Sequence, residues 1–421
     1  MDRSRLLRRL QAVRAHSLAL AQPLSAEDCA LQSMPDASPV KWHLGHTSWF
    51  FETLVLSPHC AGYRAFDARF AYLFNSYYEA LGPRHPRPQR GLLSRPALAE
   101  VLDYRRHVDA ALQEFVEAGA EEAFNAAAAL IELGLQHEQQ HQELIVTDVK
   151  HLLSLNPLQP AYLAPEAAPA AAAAAEAPPL RWLDFEGGLA EIGHAGTGFA
   201  FDNEGPRHRV WLEPYRLANR PVSCGEFLDF IADGGYRRPE LWLSDGWAWV
   251  QAGGVAAPAY WHPQDGLLFT LRGPRPLDRA EPACHLNLYE AAAYAQWAGA
   301  RLPTEAEWEA AAQAQPAAAA PAGKSLAEHL HPRPAADGPG LLQLDDAVWQ
   351  WTRSGYEPYP GFQPLAGAVG EYNGKFMVGQ NVLRGGSCAS PAGHVRPSYR
   401  NFFPAAARWQ FTGVRLARDA P

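Results

Sequence analysis

The sequence predicts an α+β chain of two domains, a four-helix bundle followed by an irregular domain of short strands and helices. Three observations lead there. Up to Ser154, leucine and alanine recur at three- and four-residue spacing, the period of a helix with one buried face. From Pro157 to Pro179 the composition collapses to Ala, Pro and Glu, which suits a spacer and not a core element. Beyond Arg181 the apolar runs shorten, Gly and Pro become frequent, and most of the tryptophans are found. The expected boundaries are therefore 1–156 for the bundle, 157–180 for the linker and 181–421 for the second domain.

The bundle helices are expected at Arg3–Leu20, Val40–Leu56, Arg95–Ala118 and Glu122–Ser154. The second opens after Ser38-Pro39 and carries His46 on the face shared by Trp42, Trp49, Phe50 and Thr53. The fourth carries His137 and His141 on the face of Leu130, Gly134, Leu144 and Asp148. Between the second and third, Phe74–Gly91 is too rich in Pro, Gly and Arg for a helix and reads as a long loop. It begins with Tyr77 and Tyr78 and then presents Arg84, Arg87 and Arg90, which can hold a carboxylate or face water. In the second domain, short helices are expected at Glu226–Ala232, Glu290–Gly299 and Thr304–Ala312. The last opens on a capping box, with Thr304 as N-cap and Glu307 three residues on. Gln313–Gly340 is again rich in Ala and Pro and reads as an exposed excursion.

Composition narrows the function. A net charge of −9 with no block of Lys and Arg argues against a nucleic-acid partner and for a small ligand. The charge-interrupted start and the absence of a long apolar run in the rest of the chain predict neither a signal peptide nor a membrane span. Five cysteines, widely spaced and without a CxxC, suggest no disulfide framework and fit a reducing cytoplasm.

The pair His137 and His141, four residues apart on an inward face, points to a metal ion or to two hydrogen-bonded core histidines. Read as HEQQH, the same residues match the zinc-peptidase pattern with Glu138 as general base. That reading needs a third ligand further on, where the chain instead runs into the Ala/Pro-rich stretch. Taking His46 as the third ligand gives an all-imidazole triad in the bundle interior, with His43 and His151 outside it. Three neutral imidazoles leave a divalent ion its full charge and open positions for an anionic ligand such as a thiolate. Spacing alone does not choose among iron, zinc and copper.

Seven motifs then carry a resemblance: KWHLGHTSWFFE, FNSYYEALGPRHPRPQRG, HEQQHQEL, FAFDNEGPRHRV, ARLPTEAEWEAAA, GAVGEYNGKFMVGQNVLRGGSC and RPSYRNFFPAAARWQFTGVRLARD. In this order they resemble the ergothioneine-biosynthesis sulfoxide synthases, the EgtB-type hercynine oxygenases. The resemblance implies a DinB-like four-helix bundle joined to a domain like that of the formylglycine-generating enzymes and sulfatase-modifying factors, a C-type-lectin-like fold that completes the active site. It implies a nonheme iron(II) oxidoreductase that uses dioxygen to couple a thiol to C2 of hercynine (Nα-trimethylhistidine) as a sulfoxide. His46, His137 and His141 fall on the iron ligands, and Gln140 on a hercynine contact. Trp409, Gln410 and Phe411 resemble the segment that meets the trimethylammonium group, for which an aromatic face is suited.

The tyrosine pair implies that Tyr77 or Tyr78 donates the proton that favours C–S coupling over oxidation of the sulfur to a sulfinic acid. Its position favours cysteine over γ-glutamylcysteine as donor, with Arg87 and Arg90 on the donor carboxylate. The related selenoneine synthases, which use a selenosugar, are the alternative, ahead of a zinc peptidase and of a non-catalytic lectin-like binding protein whose bundle histidines are structural. One departure stands out: the family's usual VWEW appears within LDDAVWQW, Leu344–Trp351, with Ala347 and Gln350 in place of the commoner residues. It is either neutral or a change in the donor pocket.

Overall fold

The computed structural model describes residues 2–164, 176–315 and 330–420. The middle of the Ala/Pro-rich linker expected at 157–180 and the middle of the excursion expected at 313–340 therefore lie outside the described residues. The chain forms two compact units: Met1–Pro157 with Leu365–Tyr372, and Leu158–Pro364 with Asn373–Pro421. Leu365–Tyr372, expected inside a continuous second domain, packs with the helices of the first.

In the first unit, helix α1 spans Arg3–Ala21 and starts on Asp2, whose carboxylate accepts the Ser4 amide at 2.9 Å. Leu6, Leu10, Val13, Arg14, Ser17 and Leu20 form its buried face. Helix α2, Val40–Phe51, is buried at every residue and is the central element. It continues into a π-helical turn, Glu52–Leu56. There the Glu52 carboxylate accepts the hydroxyls of Tyr63 (2.6 Å) and Tyr104 (2.8 Å) and the Phe66 amide (3.1 Å), which ties the following loop to the bundle. Helix α3 begins at Leu98, three residues later than expected, because Pro96 disfavours helical backbone at Arg95. Helix α4, Glu121–Ser154, is enclosed on all sides from Ile131 to Gln139. Two glycines set the packing distance. A Cβ on Gly134 would lie 2.5 Å from the Phe51 ring, and one on Gly45 would lie 2.3 Å from the Phe74 ring.

The second unit is built from small sheets. Trp182–Phe185, Tyr215–Ala218 and Ala417–Asp419 form an antiparallel three-stranded sheet that joins the unit's first strand to its last. A four-stranded sheet runs in the order Asn401–Phe403, Asn381–Arg384, Trp349–Gly355, Thr412–Gly413, its last pair parallel. The expected helices appear as α5 (Cys224–Ala232), α7 (Leu288–Trp297) and α8 (Glu305–Gln313), and α8 carries the capping box on Thr304. A further helix, α6 (Ser244–Gly253), was not expected, since its two tryptophans and five small residues show no helical stripe.

Gln350, the departure in LDDAVWQW, is fully buried and fully bonded. Its oxygen accepts from Trp308 Nε1 and Arg415 Nε, both at 2.7 Å, and its nitrogen donates to the carbonyls of Gln343 and Leu344. A side chain whose four bonding positions are all filled inside the unit is a structural hub, which settles its role in the core. Among the described residues, no helix is long and apolar enough to cross a membrane.

Candidate metal centre

His46 on α2 and His137 and His141 on α4 bring one ligand atom each to within 4.8 Å of one another. Burial comes first among the causes that hold all three rings neutral: it pushes His137 down to about 3, and His46 and His141 well below the usual histidine range. Neutral imidazole is the ligating form. His46 Nδ1 lies 2.6 Å from the Phe74 carbonyl and must be its donor, which leaves the Nε2 lone pair facing inward. That contact exists because Gly45 lets the Phe74 ring lie directly on α2. His46 Nε2 and His137 Nε2 stand 3.2 Å apart, and His137 Nδ1 is buried without a partner among the described residues. Two nitrogens about 2.1 Å from a shared ion, at angles between octahedral and tetrahedral, are separated by about 3.0–3.4 Å. The residues fit a metal ion.

His43 is buried as well. It stays outside the triad as expected, bonding His141 through Nδ1 and Asp148 through Nε2. His151 is held elsewhere, 2.8 Å from the Ser33 hydroxyl.

Residues 9–145 match the DinB superfamily, and residues 175–331 and 330–420 match the sulfatase-modifying factor enzyme 1-like domain. The chain is 34% identical over 449 residues to the hercynine oxygenase of Mycolicibacterium thermoresistibile, covering 99% of this chain and 95% of that one. It belongs to the hercynine oxygenase family. The hercynine oxygenase of Mycobacterium tuberculosis is 32% identical, with 97% of both chains covered. The formylglycine-generating enzyme of Streptomyces coelicolor is 30% identical over 60% of this chain and 96% of its own. The protein is an oxidoreductase with the two-domain fold of the family.

Membership is consistent with the fate of Glu138. Instead of facing the histidines, its carboxylate accepts from Arg105, from Arg14 at 2.9 Å and from the Ser17 hydroxyl at 2.6 Å. Burial would raise its pKa, but Arg105 and Arg14 outweigh that and hold it at about 2. A carboxylate fixed by two guanidinium groups is no general base, so the peptidase reading of HEQQH fails on geometry.

Around the cluster, Trp42 stacks on His46 with ring centroids 4.6 Å apart, and the Arg90 guanidinium lies 3.3 Å over the Trp42 ring. Arg90 is buried and, among the described residues, bonds the hydroxyls of Ser38 and Ser76. Burial, then Arg87 and Arg84, lower its pKa, so a negatively charged ligand would relieve it. Arg87 is exposed and donates to the Asp36 carbonyl.

Tyr78 is fully buried beside Trp49 (5.4 Å) and stacks on Tyr77 (4.7 Å). Asn75 closes this loop by bonding Tyr78 at both its amide and its carbonyl. The residue missed from sequence is Tyr372. Its ring meets His137 edge-on at 5.6 Å and Tyr77 at 6.2 Å, and its hydroxyl donates to Gln140 Oε1. Glu371 beside it accepts the amides of Glu79 (3.0 Å) and Ala80 (2.9 Å). No periodicity marks this stretch; only the fold brings it to the helices.

In the second unit, Phe411 is fully enclosed against His285, with ring centroids 5.0 Å apart. Among the described residues, Gln410 is buried with both amide atoms unbonded, and Trp409 Nε1 is likewise enclosed without a partner.

Proposed function

We propose that the protein joins the imidazole C2 of hercynine to the sulfur of a thiol donor, with dioxygen as oxidant and an iron(II) ion held by His46, His137 and His141. The three-histidine cluster is the observation that carries this reading. The overall reaction balances: hercynine, thiol and dioxygen give the sulfoxide and water. C–H and S–H bonds are lost, C–S and S–O bonds form, and the second oxygen atom leaves as water. Iron(II), when bound, supplies the redox chemistry with dioxygen that this four-electron step requires.

The chain's own residues do the rest. Gln140 beside His137 orients the hercynine imidazole, with Tyr372 holding its amide. Arg90 takes the donor carboxylate, which suits its burial among hydroxyls, whereas Arg87 acts from the surface. A phenol stays protonated at neutral pH, and burial raises Tyr78 well above its ordinary value. Of the three tyrosines, the ring contact with His137 and the hydrogen bond to Gln140 favour Tyr372 as proton source over Tyr77 and Tyr78. Trp409, with Gln410 and Phe411 beside it, offers an aromatic face suited to a quaternary ammonium group. Cysteine is the donor favoured over γ-glutamylcysteine and a selenosugar.

The test loads the metal-free protein anaerobically with iron(II), adds hercynine and each donor in turn, and admits air. The expected result is oxygen uptake and a product of the sulfoxide mass, with kcat/KM highest for cysteine. A preference of about tenfold or more for another donor reassigns the donor. No oxygen uptake with any thiol or selenol would remove the reading.

A further inference from the structure

We infer that Asp148 and His43 are positioning residues for the metal centre: they form a relay that fixes the tautomer of His141 and connects a carboxylate to an otherwise all-imidazole ligand set. The inference rests on the metal-centre reading above and goes beyond it.

The hydrogen-bond logic runs inward from the carboxylate. Asp148 Oδ2 accepts the Ser38 backbone amide at 2.8 Å, where α2 begins, and lies 3.1 Å from His43 Nε2. An ionised carboxylate has no proton to give, so His43 Nε2 is the donor. A neutral imidazole has one N–H, and here it is committed to Asp148. His43 Nδ1 therefore offers a lone pair, and the atom 2.8 Å away, His141 Nδ1, must donate to it. With its proton on Nδ1, His141 presents Nε2 as the free lone pair. Each assignment forces the next, and the opposite tautomer of either ring would set two N–H groups or two lone pairs against each other.

The three ligands are thereby unequal. His46 donates outward to a neutral carbonyl, that of Phe74. His137 has no partner at Nδ1 among the described residues. His141 alone of the three donates into a chain that ends on a carboxylate. An outer carboxylate raises the basicity of a ligating imidazole and fixes its orientation, and its loss usually costs about 10–100-fold in metal affinity. His141 is on this argument the strongest donor of the set. Ser38 extends the same network, since its amide holds Asp148 while its hydroxyl accepts from Arg90 at 2.9 Å.

The experiment measures cobalt(II) and iron(II) affinity of the metal-free full chain by chelator competition, together with the visible spectrum of the cobalt form. His43→Phe keeps a ring but offers no acceptor to His141, and should lower affinity about 10–100-fold and shift the cobalt bands. His43→Asn sets an amide oxygen where Nδ1 was but gives up the link to Asp148, and should restore part of the affinity. Asp148→Asn keeps an acceptor for His43 but removes the charge, and should give a smaller loss with a shifted spectrum. Circular dichroism and a thermal melt on each variant establish folding; if His43→Phe does not fold, His43→Asn against Asp148→Asn decides. Affinity within about twofold of the parent and an unchanged spectrum in the variants without acceptor or charge would overturn the relay. So would a loss in His43→Phe that His43→Asn does not repair, which would be packing alone. A parent protein that binds neither metal, or a His46→Ala variant with full affinity, would instead sink the metal-centre reading.

Discussion

His137 and Glu138 are neighbours in sequence, both fully enclosed in the same helix, and their surroundings are opposite. Around Glu138 every demand is met: two guanidinium groups and a hydroxyl surround one carboxylate. Around His137 the demands are left open, with an unbonded Nδ1 and an Nε2 that faces another lone pair. The first arrangement is what a core requires, since an unpaired buried charge is among the most destabilising things a fold can hold. The second is tolerable only because a neutral imidazole carries no charge, and it makes sense where something else is to bind. At these two residues a saturated carboxylate belongs to the core and an open imidazole to the site.

The largest effect should come from breaking the open half. His46→Ala, His137→Ala and His141→Ala should each abolish oxygen consumption and lower iron affinity by at least about 100-fold, beyond the loss typical of an outer partner. The metal-free proteins should stay folded, because no charge is left unpaired. Iron content by metal analysis, read beside a thermal melt, checks both statements, and full iron in His46→Ala would show that the wrong ring was assigned.

Breaking the closed half should do the reverse. Glu138→Ala strands Arg14 and Arg105 and should cost about 3–5 kcal/mol in denaturant unfolding. Activity per folded molecule should persist. Acid sharpens the contrast. The Glu138 carboxyl sits at about 2 in the folded state against an ordinary 4.5, so the unfolded chain takes up the proton first. The stability it contributes is present above pH 4.5 and is lost as pH falls toward 2. In Glu138→Gln the acid limb should flatten, by up to about 1.4 kcal/mol per pH unit. An unchanged slope would mean that the carboxylate is not held as described.

A smaller effect is expected at the rim of the open half. Tyr372→Phe should slow sulfoxide formation by about 100-fold, near 2.7 kcal/mol, and shift output toward cysteine sulfinate while iron binding holds. Tyr77→Phe and Tyr78→Phe should change the product ratio less. Parent ratio and rate in all three would leave water as the proton source.

The smallest concerns spacing. Gly45→Ala puts a methyl 2.3 Å from the Phe74 ring, which must move and take with it the carbonyl that holds His46. A cost of about 1–3 kcal/mol is expected, with weakened iron affinity, measurable by unfolding and by chelator competition. Unchanged values of both would show that the loop gives way freely.

How far the sequence was legible follows from the same contrast. The bundle helices were readable because each carries a long apolar face, and the triad because His46, His137 and His141 interrupt such faces. The role of Glu138 was not readable. Ile131 to Gln139 are all buried, so the period that separates inside from outside vanishes where it was most needed. His43 was hidden for the same reason, since α2 has no exposed face. Tyr372 and α6 were missed for a different one: neither stretch carries an apolar period, and the partners of Tyr372 are far away in sequence.

That distance has a temporal side. Gln140 and Tyr372 are 232 residues apart, so at about 5–20 residues per second roughly 12–46 s of synthesis separate them. For that interval a nascent chain can hold the complete set of histidines and the carboxylate behind them, yet lack the phenol beside Gln140. Metal capture can precede completion of the site, and the order of events on the ribosome would then be ion first, tyrosine last.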